Sequence, residues 1–170
     1  KGHFHQLGMA TGAPVILVGE GYATCASVFE ATGLPVAVAF DAGNLAPVAA
    51  ALHKRYKTAH ILILADDDAF SEGNPGVTCA SAAAMEVGVA YVAPVFADEE
   101  ARRAAYDAKG TKLSDFNDLH LLEGLHVVRA QVEARLLALG WRMAQGAARA
   151  KQPQGGGVDP VNAPLRPIES

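Results

Sequence analysis

The sequence predicts an α/β fold, a central and mainly parallel four-stranded sheet flanked by helices. Two observations carry that prediction. Short, wholly apolar runs alternate with stretches of helical periodicity, and tight connections marked by glycine join them. A length of 170 residues fits one domain. With 51% hydrophobic and 19% charged residues the chain can bury an ordinary core, which excludes a disordered polymer.

The elements follow in order. Residues 1–13 read as an incoming segment from an upstream region. "PVILVG" (14–19) is the first buried strand, and 22–32 a helix stopped at Gly33. "PVAVAF" (35–40) is the second strand. Residues 44–57 place Leu45, Val48, Ala49, Leu52 and Tyr56 on one helical face, with Lys54, Arg55 and Lys57 mostly off it. "HILILA" (60–65) is the third strand. Pro75 suits a first helical turn, and the small-residue helix after it ends at Gly88. "VAYVAP" (89–94) is the fourth strand. The chain then turns polar and charged to about residue 113. An amphipathic helix over 125–145 carries the stripe Leu125, Val128, Val132, Leu136, Leu139, Met143. Residues 146–170 are rich in Gly and Pro and read as a flexible tail or linker. The tetrapeptide TCAS occurs twice, which reads as two similar βα units and not as a true repeat.

No apolar run approaches the ~20 residues that cross a bilayer. Cys25 and Cys79 lack any CxxC or Cys/His spacing and read as two small core residues in a reducing compartment, the cytoplasm by default. The chain opens on Lys1 and enters a strand-like segment almost at once, which suggests a fragment of something longer.

A net charge of −4 argues at first against a nucleic-acid partner. The distribution says more. Lys1 aside, every Lys and Arg lies at Lys54 or beyond. Lys54, Arg55, Arg102, Arg103, Lys109 and Lys112 are candidate contacts to phosphates, and a second basic segment spans 129–151 with Arg129, Arg135, Arg142, Arg149 and Lys151.

In open parallel sheets ligands bind where strands exit at their carboxyl ends. Glu20 follows the first strand, Asp41 the second, and Asp66, Asp67 and Asp68 the third; Asp115 and Asp118 come after the fourth. Carboxylates gathered without matching cations repel one another. A divalent cation reverses that sign, since hard Mg²⁺ takes oxygen ligands and keeps sites for a phosphate-bearing substrate. Asp66 and Asp68 alternate along the chain and can point the same way while Asp67 points elsewhere. The plainer reading, a solvated turn or an N-cap, competes for Asp41, Asp67 and Asp118 taken singly, Asp118 above all.

Two other chemistries use similar topography. "GEGYAT" approximates a dinucleotide-binding GxGxxG, with Asp41 where a ribose-binding acid would stand. Thr24 occupies its third glycine position, however, and Glu20 would repel a pyrophosphate. A phosphotransfer site with a nucleophilic Asp lacks the Thr that should follow it. "HFH" (3–5) could pair two imidazoles on one strand face, yet no third ligand is near in sequence.

The order of a strand ending in "LVGEG", a strand ending in "LADDD" and a later "SDFNDL" resembles a Toprim domain, the Rossmann-like catalytic module of bacterial-type primases, type IA and II topoisomerases and some nucleases. "EGYATCASVFEATGLPVAVAFDAGNL" and "NPG" are similar, more narrowly, to the primases of conjugative plasmids, integrative elements and phages. The resemblance covers roughly residues 3–125. It implies a catalytic role for Glu20, and for Asp66 and Asp68 as ligands of Mg²⁺ or Mn²⁺, with Asp115 as a further ligand. Replicative primases read Lys-Asp-Pro-Asp where this chain reads Ser114, Asp115, Phe116, Asn117, so the second acid is lost. A phosphate-contacting Lys must then come from elsewhere, with Lys112 the candidate. Gly43 is expected to position the helix that starts near Asn44.

The implied activity is metal-dependent synthesis of short RNA primers from ribonucleoside triphosphates on a single-stranded DNA template. Zinc-binding and helicase domains of such primases are expected on the same or a partner chain, and the isolated stretch can be silent alone. The alternatives are a Toprim nuclease or strand-breaking domain, and a non-catalytic nucleic-acid-binding module.

Overall fold

The computed structural model describes residues 1–142. The Met143 end of the expected stripe, Arg149, Lys151 and the segment 146–170 lie outside the described residues. Five strands form one sheet: β1 (His5–Leu7), β2 (Val15–Gly19), β3 (Val36–Val38), β4 (His60–Leu64) and β5 (Ala90–Val92), in the spatial order β1-β3-β2-β4-β5. The last four are mutually parallel, joined by helices α1 (Tyr22–Thr32), α2 (Leu45–Arg55) and α3 (Pro75–Val87). The sheet therefore has one strand more than the four expected. His5–Leu7 adds antiparallel to β3, with His5 level with Val38. A three-residue strand half open to solvent shows no apolar alternation, so its pattern is silent.

Side chains along β2 alternate between two cores, as a strand covered on both faces requires. Val15 and Leu17 face α1 and two later helices, α5 (Phe116–Glu123) and α6 (Leu125–Ala138), whose Phe116, Leu119, Val128, Val132 and Leu136 fill that layer. Ile16 and Val18 face α2 and α3, meeting Leu45, Val48, Leu52, Ala80 and Ala84. Helix α6 thus packs on its own domain, against α1, and ends at Ala138 before a left-handed Gly140, short of the 125–145 expected.

Two helices went unforeseen, α5 at the "SDFNDL" motif and α4 (Glu99–Lys109). α4 lies in the stretch that read as polar and irregular. Asp98 caps its N-terminus by accepting from Ala101 N at 2.8 Å, and Gly110 closes it. Its one buried residue is Arg102. No helix among the described residues is long and apolar enough to cross a membrane.

Candidate active site

Strands β2 and β4 are neighbours in register, Val18 level with Ile63, so Glu20 and Asp66 leave the sheet side by side. Cys25 Sγ packs beneath Gly19 so closely that a Cβ there would lie 2.6 Å from it. Burial pushes the Cys25 thiol up to about 12, with the Asp66 and Asp115 charges adding to the effect, in keeping with a core role, whereas Cys79, expected in the core as well, is exposed on α3.

Helix α3 begins against the β4 exit. A methyl on Gly76 would land on the Asp66 carbonyl and 3.0 Å from its Cβ, so glycine there lets the helix approach. Gly76 N donates to Asp68 Oδ2 at 3.1 Å. Asp67 points away from both neighbours: its Oδ1 accepts from Asn74 Nδ2 and its Oδ2 from Arg102 Nη1, each at 2.7 Å.

Asp115 arrives from the far side, as the N-cap of α5. Its Oδ1 accepts from Asp118 N at 2.7 Å and its Oδ2 from Thr24 Oγ1 at 2.6 Å. Asp118, expected at the cap itself, is instead the reciprocal member of a capping box, accepting from the Ser114 and Asp115 amides. Asn117 turns towards α1 and accepts from Ser27 Oγ at 3.2 Å.

The electrostatics follow from this convergence. The Asp66 carboxyl is raised to about 7, by burial first and then by Asp115, Glu20, Asp68 and Asp118. Glu20 is also raised, by burial and by Asp41 and Asp68, against a lowering hydrogen bond from the Ala42 amide. None of the ion pairs among the described residues involves Glu20, Asp66, Asp68 or Asp115. The Asp66 carboxylate accepts no hydrogen bond among the described residues.

In kind, these oxygen donors suit a hard divalent cation, which would offset a repulsion that no Lys or Arg offsets here. As they stand, no three His, Cys, Asp or Glu side chains among the described residues are drawn round a single point. Glu20, Asp66 and Asp68 have oxygens to offer; those of Asp115 are already engaged by Thr24 and Asp118.

The basic candidates scatter. Lys54 and Arg55 close α2, which runs from the β3 exit back to the start of β4, so they lie at the opposite edge from the acids. Arg102 is withdrawn from the surface into the Asp67 pair, with 2% of its side chain exposed. Arg103 is exposed, bonded to Asp107, and stands 5.0 Å over the Phe70 ring. Lys112 shares a small cleft with Asp68, Phe70, Tyr106 and Ser114. Lys109 is exposed in the last turn of α4. Of the second basic segment, Arg129 pairs with Glu133, and Arg135 donates to the Tyr91 carbonyl at 2.9 Å. Sequence reasoning missed Thr24, Gly76 and the buried role of Arg102. Only Gly76 left a trace, within the "NPG" motif.

A family model described as the Toprim domain matches residues 15–126, from the start of β2 into α6. The chain belongs to the Toprim family. Its Toprim region is 43% identical over 107 residues, 59% of this chain, to a DNA primase TraC of Escherichia coli. A second Escherichia coli protein of the same name is 42% identical over 107 residues. The matched stretch spans only 10% and 7% of those two proteins. No solved structure matches. Glu20, Asp66, Asp68 and Asp115 all fall inside the Toprim match.

Proposed function

We propose that this Toprim domain is the nucleotidyl-transfer centre of a DNA primase that makes short RNA primers on single-stranded DNA, for the replication or transfer of a mobile element. The observation that supports it is the gathering of Asp66 with Glu20, Asp68 and Asp115 at one sheet edge with no ion pair to a Lys or Arg among the described residues. Asp66 and Asp68 would hold Mg²⁺ or Mn²⁺, with Asp115 completing the set once Thr24 or Asp118 yields. A cation so held supplies charge neutralisation at the triphosphate and at the departing pyrophosphate.

The remaining work falls to this chain's own groups. In the reaction a ribose 3′-oxygen bonds to the α-phosphorus of a ribonucleoside triphosphate, the bond to pyrophosphate breaks, and the hydroxyl proton must leave. Glu20, with its carboxyl raised and level with the β4 exit, accepts that proton. Lys112 and Arg103, on the acidic side of the domain, meet phosphates; Lys54 and Arg55 at the opposite edge do not reach the reacting atoms.

The test is one gel: the chain with labelled single-stranded DNA, ribonucleotides and Mn²⁺, beside the double variant Asp66→Asn/Asp68→Asn. New short products, lost in the variant, are expected. Shortened DNA would replace the reading with a nuclease. Absence of products from a longer chain that includes this domain would overturn it.

A further inference from the structure

We infer that Tyr22 and Phe40 form a stacking site for a nucleobase beside Glu20. The inference deepens the proposed nucleotide chemistry of this edge and rests on it. Both rings are large, apolar and left in solvent: Tyr22 is 54% exposed and Phe40 is 63% exposed. Only 6% of the chain is aromatic, and these two exposed rings belong to the segments that leave β2 and β3, which are adjacent parallel strands. Tyr22 follows Glu20 by two residues, as the first residue of α1. Phe40 N donates to the Glu20 carbonyl at 2.9 Å.

The backbone at Phe40 makes exposure by default a poor explanation. Its φ is +63°, the left-handed region that a bulky side chain avoids. Such a conformation persists only where the surroundings over-determine it, and here they do. Asn44 Nδ2 donates to the Ala39 carbonyl at 2.8 Å and to His3 O at 2.9 Å, while its Oδ1 accepts from Gly2 N at 2.7 Å. Ala39 N donates to Gly19 O at 2.8 Å. Four hydrogen bonds thus hold the chain on both sides of the β3 exit, and the strain turns a phenyl ring outward where a glycine would be easier. β1 pairs with β3, and its His5 imidazole lies 6.1 Å from the Tyr22 ring, so β1 borders the same feature.

A nucleobase fits this place better than an apolar protein face. Each ring lies within two residues of an acid, Tyr22 of Glu20 and Phe40 of Asp41, so carboxylates accompany both. Stacking needs only a π-face, tolerates any base, and works where a phosphate is repelled by nearby acids. The base can belong to an incoming nucleotide or to the strand itself.

The experiment reads binding without turnover, in Mg²⁺ buffer, with the whole chain. The probes are a short fluorescein-labelled oligothymidylate, an abasic strand of equal length, and UTP as competitor. Tyr22→Ala and Phe40→Gly should each weaken the base-bearing complex by roughly 5- to 100-fold and leave the abasic strand unaffected. Tyr22→Phe should bind as wild type does. Phe40→Gly should melt no lower than wild type, since glycine relieves the left-handed strain. Loss of UTP competition in the variants assigns the base to the nucleotide; unchanged UTP competition assigns it to the strand. Equal wild-type affinity for base-bearing and abasic strands, or variants that bind like wild type, would overturn the inference. So would a Phe40→Gly protein that melts well below wild type. Failure of the primer gel with base-dependent binding intact would remove the primase reading alone.

Discussion

Arg102 and Asp67 form a buried ion pair, Nη1 to Oδ2 at 2.7 Å, that fastens the β4 exit to the loop carrying Asp115. The same guanidinium donates through Nη2 to the Asp67 carbonyl and through Nε to the Leu113 carbonyl at 2.6 Å. Asp67 N in turn donates to Ser114 O at 2.7 Å. Phe96, at 4.4 Å, and Phe70, at 5.2 Å, offer their rings to the cation. Asp67 is thereby held outward, which leaves Asp66 and Asp68 for the acidic edge.

Removing that cation should be costly. Arg102→Ala leaves a largely buried carboxylate unpaired and is expected to destabilise the domain by about 3–5 kcal/mol in urea unfolding. Arg102→Lys restores charge without the fork that reaches two carbonyls, and should recover only part of it. A loss below about 1 kcal/mol for Arg102→Ala would mean the clamp does not hold the loop.

Asp66 gives the metal-free protein an unusual pH profile. A carboxyl raised from 3.8 to about 7 binds its proton in the folded state when the unfolded chain has already released it. Its contribution to stability is full below pH 3.8 and is lost as pH climbs through 7, at about 1.4 kcal/mol for each unit crossed. Melting in EDTA should therefore fall over that window after allowance for other groups, Asp66→Asn should flatten the fall, and saturating Mg²⁺ should reverse it in the wild type alone. Identical profiles for Asp66→Asn and wild type would count against the convergence of charge at this residue.

Asp115 has two roles that substitution can separate. Asp115→Asn keeps an N-cap oxygen and should change stability by less than about 1 kcal/mol, while Mg²⁺ affinity measured by calorimetry drops. Asp115→Ala should lose the affinity and a further ~1 kcal/mol of helix capping. Equal metal affinity in all three proteins would remove Asp115 from the ligand set.

Gly76→Ala tests the approach of α3 to the β4 exit. The added methyl must displace the Asp66 backbone, so both melting temperature and Mg²⁺ affinity should fall, the latter by roughly tenfold or more if a displacement near 1 Å is imposed. Normal metal affinity in a folded Gly76→Ala protein would show that the helix shifts instead.

The parts of the molecule that announced themselves were those that obey a period. Ile61 to Ala65 form a run buried on both faces, and the acids follow it without interruption, so strand and site came together. β1 was hidden because His5, Gln6 and Leu7 at an open edge owe their place to pairing with β3, which a local pattern does not register. α4 was hidden for a related reason: its buried member is a charged residue, and an arginine on a polar helix reads as solvated until its partner is located. Asp67 and Arg102 lie 35 residues apart, and no spacing rule links them. Thr24 counted against a dinucleotide site as a missing glycine; its bond to Asp115, 91 positions away, is a tertiary fact.

The β2–β4 ladder has one more consequence. Glu20 and Asp66 are rooted on adjacent strands whose last rungs, Val18 and Ile63, are sealed from solvent. Their spacing is inherited from the peptide backbone and resists local opening, so amide exchange there should be among the slowest in the domain. Asp115 and the Asp67 clamp lie outside that ladder, on connections held by side-chain hydrogen bonds and an ion pair. The acidic edge is thus one stationary jaw and one adjustable jaw, and substitutions in α4 or α5 can retune its grip without changing its gauge.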